Sequence, residues 1–162
     1  MATPGSTSTG WSYSFTAPSP GTYYFYVRAV DSAGLAASNH TFGSFRAFPG
    51  DAIPQVEVQE PVANEVITTG RIAVTGDATD DVQLALVEVR IRNEQTGEYP
   101  RSDGSFGTSQ WLDASLTNPG GDRTNWDYSS PVLPDGDYRV QVRAEDTNGQ
   151  LSTVVTRFVI VS

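Results

Sequence analysis

Apolar and polar residues alternate with a period of two along most of this chain. In 138–145, Tyr138, Val140, Val142 and Ala144 fall on one side, and Arg139, Gln141, Arg143 and Glu145 on the other. Such alternation predicts a strand with one face in a core and one in water. Segment 22–30 carries the same signal, with Tyr23, Phe25, Val27 and Ala29 on one side and Tyr24, Tyr26, Arg28 and Val30 on the other. Further strands are predicted at 56–58, 71–76, 84–93, 110–116, 126–133 and 152–161. Pro61, Glu94 to Gly97, Asn118 to Gly121, Pro134 to Gly136 and Asp146 to Gly149 supply the breaks and turns between them. The polar, glycine-rich stretch 100–109 reads as a surface loop. No window keeps apolar residues at helical spacing for three turns. Short strands at intervals of 8–12 residues predict an all-β antiparallel sandwich of about seven strands.

Part of this pattern occurs twice. Trp11-Ser-Tyr-Ser returns as Trp126-Asp-Tyr-Ser, and Gly21-Thr-Tyr-Tyr-Phe-Tyr-Val-Arg-Ala-Val-Asp31 returns as Gly136-Asp-Tyr-Arg-Val-Gln-Val-Arg-Ala-Glu-Asp146. Segment 4–38 matches 119–153 without a gap, so Trp11 answers to Trp126 at an offset of 115. A fixed period of domain length marks tandem modules. The expected organisation is a partial repeat at 1–47, a connector at 48–53 containing Pro49, and a complete module at 54–162. The partial repeat is expected to supply three strands, near 11–17, 22–30 and 40–46. Its inner face would be too apolar to stay bare. It would pack on the complete module, remain disordered, or complement the front half, 54–116, of another copy. That last outcome gives dimers or a filament. Met1-Ala2 reads as a start added to a fragment of a larger protein, with any export signal upstream.

Composition narrows the function classes. A hydrophobic content of 38% supports a packed core. The net charge of −9 argues against nucleic acid or an anionic membrane as partner. The chain has no cysteine, which excludes disulfides, thiolate metal sites and a cysteine nucleophile. No apolar run is long enough to span a bilayer as a helix. Catalysis finds no support. The sole histidine, His40, matches Val155 in the second copy by the 115-residue offset. Paired acids such as Asp80-Asp81 and Asp135/Asp137 fall in turns rather than across a cleft.

The run Asp135-Gly-Asp-Tyr-Arg-Val-Gln-Val-Arg-Ala-Glu-Asp-Thr-Asn-Gly149 resembles the F strand and F–G hairpin of bacterial Ig-like and fibronectin-III-like modules. Pro54-Gln-Val-Glu-Val-Gln-Glu-Pro61 and Thr75-Gly-Asp-Ala-Thr-Asp-Asp-Val82 resemble their first two strands. The resemblance covers 54–162, and 3–47 as a C-terminal half. It implies that Tyr138 and Tyr23 are tyrosine-corner residues, bonding backbone near the preceding turn. It is nearly silent on ligand, because this fold hosts unrelated functions.

Two kinds of site remain as candidates. Asp77, Asp80 and Asp81 share one stretch of chain, and Asp146 with Asn148 faintly resembles a calcium element of cadherin repeats. Ca²⁺ takes six to eight oxygens from loop carboxylates, carbonyls and amides. The bland alternative is that Asp146 shapes a tight turn. Exposed aromatics could hold a glycan: Trp111, Tyr99 and Phe106 near the long loop, and Tyr24 and Tyr26 in the partial copy. The expected function is a non-catalytic spacer or adhesion module of a secreted or surface-located bacterial protein. Its partners would be neighbouring repeats or other copies of itself. The alternatives are a carbohydrate-binding accessory domain of a secreted hydrolase and a calcium-rigidified, cadherin-like adhesin repeat.

Overall fold

A computed structural model describes residues 10–162, and the start of the repeated block, from Pro4 on, lies partly outside them. The chain divides into two compact units, Met1–Gly50 and Asp51–Ser162.

The second unit is an all-β sandwich. Its strands are β3 (Gln55–Glu60), β4 (Glu65–Ile67), β5 (Ala73–Thr79), β6 (Leu84–Asn93), β7 (Tyr99–Pro100), β8 (Phe106–Gly107), β9 (Leu112–Asp113), β10 (Ser115–Leu116), β11 (Arg123–Ser129), β12 (Gly136–Asp146) and β13 (Val155–Val161). One sheet has the order β10-β11-β5-β3, and the other β4-β13-β12-β6-β9. Alternation decides what lies between them. Val56, Val58, Val74, Ala78 and Trp126 come from the first sheet, and Val87, Val89, Tyr138, Val140, Val142 and Val159 from the second. Each fully buried side chain of this size contributes about 1.5–3 kcal/mol. Gly76 makes room for Trp126. The two are cross-strand partners, and a Cβ at Gly76 would collide with the Glu57 carbonyl and the Trp126 ring.

The expected strand at 110–116 is two shorter ones. β9 pairs with β6 in one sheet and β10 with β11 in the other, so the chain changes layers at Ala114, whose N–H donates to the Val87 carbonyl. The break at Pro61 also marks a change of sheet. β3 pairs antiparallel with β5, whereas β4 runs parallel to β13.

The first unit is a hairpin of β1 (Gly21–Val27) and β2 (Thr41–Ala47). No strand forms at 11–17, contrary to expectation. The partner that this segment needs has an equivalent in the second unit, where β11 is held between β5 and β10, and the described residues of the first unit offer none.

The rest of the block folds alike in both copies. The Tyr23 hydroxyl donates to the Ser19 carbonyl at 2.6 Å, and Tyr138 to Pro134 at 3.0 Å. The Asp31 N–H donates to Leu35 O, as Asp146 does to Gln150 O. Ala37 bonds Ala29 as Ser152 bonds Ala144. Gly34 and Gly149 hold the same left-handed turn position at φ 84° and 81°, where a side chain would be strained. Beyond the turn the copies slip by one residue. Thr41, not His40, stands opposite Val27, in the place that Val155 holds opposite Val142. His40 and Val155 are therefore not structural counterparts.

Candidate functional site

Three chain segments converge at one end of the sandwich. Asp80 and Asp81 follow β5, and the Asp80 carboxylate accepts the Val82 and Gln83 N–H groups at 3.0 and 2.9 Å, shaping its own turn. Asp81 accepts the Ala52 N–H at 3.1 Å, which ties the residues before β3 to this loop. The hairpin between β12 and β13 closes the third side: Thr147 donates to the Gln83 carbonyl, and the Asn148 amide to Asp51 at 2.7 Å. As a result, one carboxylate oxygen from each of Asp51, Asp80 and Asp81 lies within 4.8 Å of the others. One oxygen of Asp51 and one of Asp80 are inaccessible to water and have no hydrogen-bond partner. Desolvated carboxylate oxygens left unpaired are costly, and three acids this close repel one another. A hard cation would relieve both, and an all-oxygen donor set suits Ca²⁺.

Sequence reasoning placed part of this set. Asp80, Asp81 and Asn148 are at the cluster. Asp77 is not: it lies within β5, bonded to Gln59 at 3.2 Å and ion-paired with Arg123 at 3.4 Å. Asp146 is buried, and its two oxygens accept the Gln150 N–H and side-chain amide. Asp31 likewise accepts the Ala33 and Leu35 N–H groups in the first unit, so this aspartate shapes a turn in both copies. Asp51 was missed because it falls in the presumed connector. The available signal was topological: in an Ig-like sandwich the loop after the second strand and the last hairpin share one end, and an acid just before the first strand enters there.

The aromatic candidates are dispersed. Trp111 meets two guanidinium groups, with Arg90 and Arg143 each 4.3 Å from its ring centre. Arg90 also lies 5.9 Å from Tyr99. Arg143 is fixed by Glu88 at 2.6 Å and Arg90 by Gln141 at 2.8 Å. Trp111 therefore takes part in a cation–π stack. Phe106 packs partly against the core. Tyr24 and Tyr26 belong to the other unit, where both rings pack against Phe42 on the exposed face of the hairpin. His40 packs on Tyr26 with ring centres 5.6 Å apart.

Among the described residues, no helix is long and apolar enough to cross a membrane. No curated protein matches the sequence. Solved structures with similar chain paths include the fibronectin(III)-like modules of CbhA from Clostridium thermocellum. There the TM-score is 0.48 and the identity 18%, over 91% of this chain and 66% of that one. CopC from Methylosinus trichosporium OB3b gives a TM-score of 0.39 at 12% identity, over 67% of this chain and 94% of that one. The family model described as a bacterial Ig domain matches residues 54–142, more than half the chain and nearly all of the sandwich up to β12. The chain belongs to the bacterial Ig domain family.

Proposed function

We propose that this chain is a non-catalytic structural module of an extracellular or surface-located bacterial protein, serving as a spacer that bears load between neighbouring repeats. The observation that carries this reading is the parallel pairing of β4 with β13, Glu65 to Val159 through Ile67 to Val161. The ladder is extended at both ends, where Asn64 donates to the Phe158 carbonyl and Ser162 to Ile67. Tension applied between the two ends of the module pulls these strands in opposite directions. Parallel strands pulled that way load their hydrogen bonds together, in shear, rather than one after another. The repeated block supports a modular array.

Single-molecule force spectroscopy tests the reading. One cooperative unfolding event is expected, with a length gain on the order of 350 Å for a module of this size. Ile67 faces β13, its carbonyl accepting the Ser162 N–H, so Ile67→Pro removes a donor on the side of that ladder and should lower the unfolding force. An unfolding force unaffected by this substitution would remove the reading. Retention on insoluble polysaccharide that is lost on Trp111→Ala would favour a carbohydrate-binding accessory domain instead.

A second reading is a calcium-rigidified adhesion repeat, favoured by the two buried, unpaired oxygens of Asp51 and Asp80. A ligand at a hundredfold excess over its Kd stabilises by about 2.7 kcal/mol, or roughly 10 °C in a domain of this size. Calcium should raise the melting temperature by that order, EGTA should reverse it, and Asp80→Ala should abolish the response. A melting curve indifferent to calcium excludes it.

A further inference from the structure

The hairpin unit has an apolar inner face that none of its described residues covers fully. Phe15, Tyr23 and Phe45 pack together there, with ring centres 5.2–6.3 Å apart. Trp11 and Tyr13 line the same concavity beside Phe25. Trp11 remains 60% exposed, Tyr13 82%, Phe15 51%, Phe25 41% and Phe45 43%. The same block in the second unit is dry: Trp126, Tyr138, Val140 and Val159, which match Trp11, Tyr23, Phe25 and Phe45, are 0–1% exposed. A lone two-stranded hairpin is marginal in water, and a strand pair with a hydrophobic face needs a second layer.

We propose that this face docks on the same face of a second copy, hairpin against hairpin about a two-fold axis, closing a small two-layered sandwich of four strands. Three observations select this occupant. The first is availability: the front half of the second unit is already covered by its own β11 to β13, and Val74, Val87 and Val89 there have no exposed surface. Shape is the second. Phe25 and Phe45 replace Val140 and Val159, so the hairpin is too bulky to take the place of β12 and β13 over that front half. Phe25 finds space within its own unit only because its cross-strand partner is Gly43. The third is area. At roughly 200 Å² for each aromatic side chain, the exposed fractions amount to about 550 Å² per copy. Two copies together would bury about 1,100 Å², just above the roughly 1,000 Å² that a specific interface needs. Charge does not oppose the contact, since residues 1–50 carry only Arg28, Arg46 and Asp31, while the chain as a whole has a net charge of −9.

Sedimentation equilibrium of the full chain over roughly 1–200 μM protein is the experiment. A reversible doubling of the 17.4 kDa mass is expected. Phe25→Ser combined with Phe45→Ser should weaken the dimer at least 100-fold, whereas Phe42→Ser, which lies outside that concavity, should leave it intact. The chain has no cysteine, so single Phe25→Cys and Phe45→Cys variants report the contact directly. Oxidation should link at least one of them to itself across the two-fold axis. That result does not depend on whether the serine variant folds. A mass that stays monomeric throughout, a dimer that survives the double serine substitution, or the failure of both cysteine variants to cross-link would overturn the proposal. A dimer in which Trp126 becomes accessible to quencher would assign exchange of halves and overturn it as well.

Discussion

Tyr138 shows how one residue can fix the last third of the module. Its ring is buried between the sheets, while its hydroxyl donates to Pro134 and accepts from the Asn93 amide. Burial pushes this hydroxyl above the usual tyrosine value; the Asn93 bond opposes the shift, and the charge of Asp135 reinforces it. The folded state therefore holds the proton more tightly than the unfolded chain does. This contribution is complete below about pH 10, the unfolded value, and is lost as pH rises through the raised folded value. Tyr128 is shifted in the same direction by burial and adds to the alkaline loss. Tyr138→Phe should cost about 1 kcal/mol at neutral pH through the lost hydrogen bonds. It should also flatten the fall in stability above pH 10, read from denaturant midpoints across that range. An unchanged alkaline slope would place the titration elsewhere.

At the scale of elements, the strands were legible wherever period-two alternation ran for six residues or more. β6 and β12 follow the alternation, with Val87, Val89 and Ile91 facing Ala144, Val142 and Val140 across the ladder. The alternation does not say where a strand changes layers, which is why 110–116 divides at Ala114. Nor does it report a missing partner: 11–14 has the same polar and apolar order as 126–129, yet the described residues of the first unit give it no strand to pair with. The acidic cluster was half legible for a related reason. Asp80 and Asp81 are adjacent in sequence, whereas Asp51 and Asn148 reach them only through the closure of the sandwich. Gly76 tests the packing of the first sheet. Gly76→Val would drive a branched side chain into the Glu57 carbonyl and Trp126, and β3 would have to leave β5. A loss of about 2–3 kcal/mol is expected, at the upper end for overpacking. Gly120→Ala, at a turn with nothing within 4 Å of its Cβ position but a φ of 76°, should cost less, about 1–2 kcal/mol. Chemical denaturation of the two variants side by side measures the difference. Equal losses would mean that close approach at Gly76 is not the constraint.

For the whole molecule, the distribution of the core separates the two units energetically. Among the described residues, every buried hydrophobic residue lies between Val56 and Val161, and both sheets of the sandwich are drawn entirely from the second unit. The cluster at Asp51 also closes within it, through Asp80, Asp81 and Asn148. No described residue of the first unit belongs to that core. A chain comprising residues 51–162 therefore contains what the sandwich needs to fold. It should melt in a single transition within about 2 °C of the corresponding transition of the full chain, because the buried core is drawn wholly from it. It should also sediment as a monomer at every concentration, since residues 51–162 hold all but Arg28, Arg46 and Asp31 of the charge and remain strongly acidic. Calorimetry and sedimentation on the shortened chain check both statements. A melting temperature lowered by much more than that would show that the hairpin stabilises the sandwich after all. A shortened chain that still dimerises would move self-association away from the aromatic face and onto the sandwich.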